Sequence, residues 1–340
     1  MEYREEYDVT KGYKEKYVDE IDRLILERQR VAAEKRREYC KNIFADPEPY
    51  RHTLREMLGW PLVDKAREGV PAVSSEELYE CDEYKIYRMK IEILDGVYLT
   101  GLFFELKGEG KRPLVLVQHG GWGTPEIMSG LYGESTTYNG VTERVLKKGV
   151  HVFAPQLLLW RKDRYNVEYD RIAADARLKQ LGSSITAVEV YGLMRILDYF
   201  ETRDNVSDFG MVGLSYGGFY TLFTAAIDTR IKASISCSFF NTRENYYWAD
   251  WTWFGFLEKF DDSDIAALVY PRRLCIEVGK KDELFKVEFA EKSFEKLKDA
   301  CKNVGTEWVR FIPFDGVHEF SKDDEPIEWI VEELLNGQKN

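Results

Sequence analysis

No apolar run in the chain approaches the roughly 20 residues that a bilayer-spanning helix needs, and the longest apolar stretches are strand-sized, which excludes a transmembrane segment. Cysteine is scarce and unpaired by pattern. Cys40, Cys81, Cys237, Cys275 and Cys301 are an odd set, far apart, with no CxxC among them, so neither a disulfide framework nor a zinc knuckle is indicated. Only four histidines occur, His52, His119, His151 and His318, without HExxH or a His/Cys cluster, and no metal site is expected. Basic charge is also in deficit. With 48 basic against 60 acidic residues the net charge is −12, which on average repels a phosphate backbone or an anionic membrane and argues against nucleic-acid and membrane partners. The charged N-terminus lacks the apolar stretch and cleavage site of a secretory signal, so a cytoplasmic location is expected.

What is present reads as a globular chain of 340 residues with 44% hydrophobic and 32% charged residues, enough to bury a sizeable core. Residues 13–44 place Tyr17, Ile21, Leu24, Ile25 and Val31 at helical spacing, and Asp46-Pro47 ends that helix. RHTLREMLGWPL forms a second short helix stopped by Gly59 and Pro61, and 70–75 reads as a connector. Residues 1–80 are therefore assigned to a helical N-terminal extension and 81–340 to the main domain. That domain opens on a hairpin, YKIYRMKIEI and VYLTGLFFEL, joined at Leu94-Asp95-Gly96. The period then changes: apolar strands at 114–118, 150–154, 209–214, 233–238, 274–278 and 308–313 alternate with helices at 141–148, 184–202, 216–226, 286–301 and 325–335. This is the pattern of an α/β fold with a mostly parallel, eight-stranded sheet flanked by helices. Two connections, 156–182 and 239–269, are too long for plain turns and are of the length that carries function or extra helices.

The sharpest chemical signal is Gly213-Leu214-Ser215-Tyr216-Gly217-Gly218, where a strand gives way to a helix. G-x-S-x-G alone is weak, and a tight turn needing glycines would produce it; the strand-to-helix context is what exposes a serine Oγ at a strained turn above a helix N-terminus. A serine hydroxyl needs a base and a carboxylate to orient that base. Asp282, just past RLCIEV, and His318, just past WVRFIPF, supply both, each at the carboxyl end of its own strand. Asp315 and Glu283 compete for the acid role, and Asp282 could be only a helix N-cap; the order Ser215, Asp282, His318 favours the catalytic reading. An oxyanion needs N–H donors, which the glycine-rich turn His119-Gly120-Gly121-Trp122-Gly123 can present: Gly121 is the first choice, Trp122 the second, with Tyr216 as partner donor. His119 itself reads as a loop brace. No phosphate-loop spacing competes for these glycines.

GLSYGG, HGGWG and the later Asp and His resemble the α/β-hydrolase superfamily over roughly residues 82–337, and REMLGWPL with the run GLSYGGFYTLFTAAIDTRIKASIS is similar to its dienelactone-hydrolase-like and acetyl-xylan-esterase-like branch. The resemblance implies a cofactor-free serine hydrolase acting on an ester. Ser-Tyr-Gly-Gly also resembles prolyl-oligopeptidase catalytic domains, but the helical extension cannot form the propeller that precedes those, so a peptidase is the alternative. A binding protein on the same fold is a third reading.

Substrate clues are fewer. The segment 239–269 carries nine aromatic residues between Phe239 and Phe256 and reads as a lid over the strand ends, where Trp248 and Trp251, with Trp122, Trp160 and Arg161 from neighbouring loops, could line a pocket for an acyl group or a sugar ring. The same rings could instead pack a small core of their own. The expected partner is a small-molecule ester, an acetylated sugar among the candidates, with homo-oligomer contact through the N-terminal helix as an additional expectation.

Overall fold

The computed structural model describes residues 1–60, 69–133, 137–159 and 167–337. Nine strands form one sheet: β1 (Val73–Glu80), β2 (Tyr84–Leu94), β3 (Val97–Leu106), β4 (Arg112–Gln118), β5 (His151–Pro155), β6 (Val206–Leu214), β7 (Ile231–Cys237), β8 (Arg273–Gly279) and β9 (Val309–Phe314). Their spatial order is β1-β2-β3-β5-β4-β6-β7-β8-β9; the first three are antiparallel, and β5 through β9 run parallel. The sheet thus has one strand more than the eight expected. The addition is β1, which falls where the sequence reading places a connector and the end of the helical extension. VSSEELYE has no apolar face to betray it: almost every side chain is exposed, and backbone pairing with β2 at the sheet edge is all that makes it a strand.

The helices are α1 (Val9–Tyr39), α2 (Glu48–Leu58), α3 (Pro125–Met128), α4 (Val141–Leu146), α5 (Arg171–Gln180), α6 (Ile185–Phe200), α7 (Tyr216–Ile227), α8 (Asp262–Ala267), α9 (Val287–Ala300) and α10 (Glu325–Asn336). Strand residues alternate between two cores, as a period of two requires. Leu114, Leu116, Phe153, Met211 and Ile276 meet α2, α6, α7 and α9 on one face, while Val115, Val117, Val152, Val212 and Ile235 meet α4 and α10 on the other. Ile185 to Phe200 is largely buried because α6 packs on the sheet at β2 and is flanked by α2, α5 and α7, which explains its nearly continuous apolar sequence.

From β4 the chain crosses to β5 on one side and returns to β6 on the other, so the carboxyl ends of β4 and β6 flank a topological switch point, where open α/β sheets bind ligands. Segment 239–269 continues from the end of β7 as three single turns and α8. Buried carboxylates organise it. Asp261 caps α8 and accepts from the Arg243 N–H, Asp262 pairs with Arg243 at 3.3 Å, and Arg36 of α1 reaches Asp261, Asp264 and the Leu257 carbonyl. Among the described residues this far part of α1 is the part held by the body; Tyr17, Ile21, Leu24 and Ile25, the apolar positions at helical spacing, are exposed. Among the described residues no helix is long and apolar enough to cross a membrane.

Candidate active site

Ser215 sits between the end of β6 and the start of α7 with φ 61° and ψ −119°, a conformation unfavourable for a residue with a Cβ. The turn survives because its neighbours lack side chains. A Cβ on Gly213 would stand 2.1 Å from the Gly217 carbonyl oxygen, and one on Gly217 would stand 2.2 Å from that of Gln118. Two bonds hold the elbow: Ser215 N–H donates to the Cys237 carbonyl and Phe219 N–H to the Ser215 carbonyl, both at 2.9 Å.

His318 lies in the loop after β9, and its Nδ1 is 2.8 Å from Asp282 Oδ2 in the loop after β8. The other oxygen, Asp282 Oδ1, accepts the N–H groups of Leu284 and Phe285, each at 2.9 Å, so this buried carboxylate is aimed by three donors. A carboxylate at Nδ1 fixes the proton there and leaves Nε2 as the basic nitrogen. Phe285 stacks on the imidazole with centroids 5.7 Å apart. The rival acids go elsewhere: Asp315 pairs with Lys281 at 2.7 Å, and Glu283 is exposed. Cys237 ties the two halves together, its carbonyl holding Ser215 N–H and its thiol donating to the Glu319 carbonyl at 3.3 Å. No hydrogen bond joins Ser215 Oγ to His318 in this structure.

The remaining histidines are accounted for by the scaffold. Buried His119 accepts the Leu157 N–H at Nε2 and donates from Nδ1 to the Gly120 carbonyl at 2.9 Å, and burial pushes its pKa down to about 4. It braces the turn neutrally. His151 accepts the Leu106 N–H, and His52 meets Glu56 on the surface.

The glycine turn after β4 lies directly against the elbow: a Cβ on Gly120 would be 3.2 Å from that of Ser215, and one on Gly121 would be 3.3 Å from the Tyr216 ring. Gly120 N–H donates to the Tyr138 hydroxyl, whereas among the described residues no acceptor meets the Gly121 N–H. Tyr216 opens α7, where helix geometry leaves the first backbone N–H groups without intrahelical acceptors.

The expected substrate contacts separate. Trp122 is 69% exposed and Trp248 is half-buried, stacked on Tyr216 with centroids 6.0 Å apart. Trp251 is 1% exposed, its surface taken by Tyr216, Phe219, Phe239 and Trp248, which makes it the core of the insertion rather than a surface for ligand. Trp160 and Arg161 lie outside the described residues.

Sequence reasoning missed the buried charges behind Tyr216. Its hydroxyl donates to Asp250 Oδ2 at 2.9 Å; Arg171 Nε donates to the same oxygen at 2.7 Å and Nη1 to Glu189 at 2.9 Å, while Tyr220 donates to Glu189. Burial pushes the Glu189 carboxyl up, against the opposing pull of Arg171. Four elements, α5, α6, α7 and the insertion, meet in this cluster. No motif announces it, since its members are brought together only by folding. Among the described residues no group of three or more His, Cys, Asp or Glu could hold a metal ion.

A mostly parallel sheet entered through an antiparallel hairpin, a strained serine elbow after a central strand and an Asp–His pair on the last two strand ends together define the architecture. This is the α/β-hydrolase fold. Solved structures sharing this hydrolase fold include a glucuronoyl esterase from Solibacter usitatus, 13% identical with TM-score 0.62 over 84% of this chain and 91% of that one. Acetyl xylan esterase 1 from Thermoanaerobacterium sp. JW/SL YS485 is 14% identical with TM-score 0.56, covering 88% and 98%. An acetyl xylan esterase from Paenibacillus sp. R4 is 16% identical with TM-score 0.58, covering 86% and 93%. No family model and no curated protein matches the sequence.

Proposed function

We propose that the chain is a serine hydrolase of carboxylic esters, with a short acyl group or a carbohydrate acetate as substrate. The observation that carries the reading is the 2.8 Å bond between His318 and a buried Asp282 on the same sheet end as the strained Ser215. Ser215 Oγ attacks the ester carbonyl while His318 Nε2 takes its proton, and the tetrahedral oxyanion is met by the N–H groups of Gly121 and Tyr216. His318 then gives the proton to the departing alcohol. Water, deprotonated by the same nitrogen, releases the acid from the acyl-enzyme and returns Ser215. Asp282 holds the imidazole in the productive tautomer and balances its transient positive charge.

The carbohydrate side of the reading is supported by the named activities of the structural neighbours and by Trp122 and Trp248, whose indole faces suit a sugar ring. The test is hydrolysis of p-nitrophenyl acetate and of acetylated xylo-oligosaccharides by the parent and by Ser215→Ala, together with fluorophosphonate labelling. Activity and labelling that both vanish with Ser215 are expected. A parent that neither hydrolyses nor labels would turn the reading toward a binding protein, and equal rates on both esters would remove the sugar from it.

A further inference from the structure

Beyond Arg28, α1 is held by the body; before it, no described residue is buried against the rest of the chain, although Asp22 and Ile25 line one wall of a cleft against the insertion. Every residue from 1 to 28 is exposed, Tyr13, Tyr17, Val18, Ile21, Leu24, Ile25 and Leu26 among them. Tyr13, Tyr17, Ile21 and Leu24 follow each other at steps of four, four and three, so they share one side of the helix. A projecting helix of this kind is marginal in water unless a packed face supports it, and here about 30 Å of helix carries its apolar side into solvent. Its charges are ordered. Lys11, Lys14 and Lys16, with Glu15 among them, precede Asp19, Glu20 and Asp22, which Arg23 follows, and within the helix the exposed pairs Lys11–Glu15 at 3.7 Å and Lys16–Glu20 at 3.8 Å use some of them.

That order identifies the occupant. We propose that the outer part of α1 pairs antiparallel with α1 of a second copy of this chain, forming a two-fold dimer. A parallel pair would set lysines beside lysines and acids beside acids; an antiparallel pair sets the basic block of each copy against the acidic block of the other. A two-fold axis level with Val18 brings Lys14 opposite Asp22 and Lys16 opposite Glu20, with Tyr17, Ile21 and Leu24 between them. The same register brings Tyr7 of one copy level with Gln29 of the other. Gln29 lies at a cleft between α1 and the insertion, lined also by Ile25, Tyr247 and Phe256, and Tyr7 is fully exposed in the isolated chain. An aromatic side chain entering an apolar cleft is the kind of anchor that stabilises such interfaces.

The experiment is mass measurement by light scattering and sedimentation on the full chain at micromolar concentration. A dimer is expected. Ile21→Glu/Leu24→Glu should raise its dissociation constant at least about 100-fold while leaving circular dichroism and ester hydrolysis unchanged, since both residues are exposed and neither belongs to the proposed catalytic machinery. Lys14→Glu/Lys16→Glu should weaken the dimer, and adding Glu20→Lys/Asp22→Lys in the same chain should restore it. A monomeric parent, or a dimer indifferent to Ile21→Glu/Leu24→Glu, overturns the proposal; failure of the second charge reversal to restore association overturns the antiparallel arrangement. None of these readings depends on whether the chain hydrolyses esters.

Discussion

The serine elbow and the aromatic insertion face each other across Tyr216 and are stabilised in opposite ways. The elbow is held by backbone: two N–H bonds, a positive φ and glycines that permit contacts no side chain would. The insertion is held by side chains: Arg171, Asp250 and Glu189 on one flank and Arg243, Asp261 and Asp262 on the other, all buried and mutually paired. A backbone-built site leaves its signature in neighbouring letters of the sequence, whereas a site built from buried ion pairs scatters it.

Removing the proposed nucleophile from the elbow should have the largest effect. Ser215→Ala should lower ester hydrolysis by about a thousandfold or more while the melting temperature stays within a few degrees, because the chemistry and the turn are separable; steady-state kinetics beside a thermal scan checks both. In the insertion, chemistry and stability are not separable. Arg171→Met should cost about 3–5 kcal/mol by leaving Asp250 and Glu189 without their cation, read by urea denaturation. That cost should shrink as pH falls toward 5, because Glu189, whose carboxyl burial already pushes up, can take up a proton once Arg171 is gone; a cost independent of pH would mean that Glu189 is not ionised beside Arg171.

Tyr216→Phe probes the seam between the two regions. It removes one hydrogen bond to Asp250 but keeps the ring against Trp248 and Trp251, so a loss of about 1 kcal/mol in stability is expected, with a kcat change far smaller than for Ser215→Ala. A kcat as low as that of Ser215→Ala would mean that the side chain aims the backbone N–H. The smallest effect is a slope of stability with pH. Burial raises Asp262 to about 7 and Glu277 to about 8, so between pH 6.5 and 8 the folded chain binds more protons than the unfolded one, and stability falls as pH rises. Buried His119 and His151, whose pKa values are lowered from 6.5, pull the other way and blunt this slope at the acid edge of the window. Melting temperatures across pH 6.5–8 should decline in the parent and decline less in Asp262→Asn.

The same division governs what the sequence made legible. The hairpin, the parallel strands and the helices that cover them could be read because their apolar periods match their burial, and the strand-end placement of Ser215, Asp282 and His318 because each follows a readable strand. β1 escaped because an edge strand with exposed Glu76, Glu77 and Glu80 has no buried face, and its pairing is backbone alone. The helix α1 was legible from its spacing but what covers its apolar side was not, because amphipathic spacing tells which side is apolar, not what meets it. Trp251 was counted as a surface and became a core because nine aromatics close together cannot all face one ligand.

Arg36 gives the N-terminal helix a consequence for how the protein can be cut. Its guanidinium lies against Asp261, which is buried, and Asp264, which is partly buried, and donates to the Leu257 carbonyl at 2.7 Å. Deleting the helix at the point where it looks detachable, before Asp46, would strip buried Asp261 and its neighbour Asp264 of an arginine and loosen the start of α8. Trimming at Arg28 would spare that clamp. The removable arm and the indispensable brace are one continuous helix, and the boundary between them falls in the middle of a turn rather than at a loop.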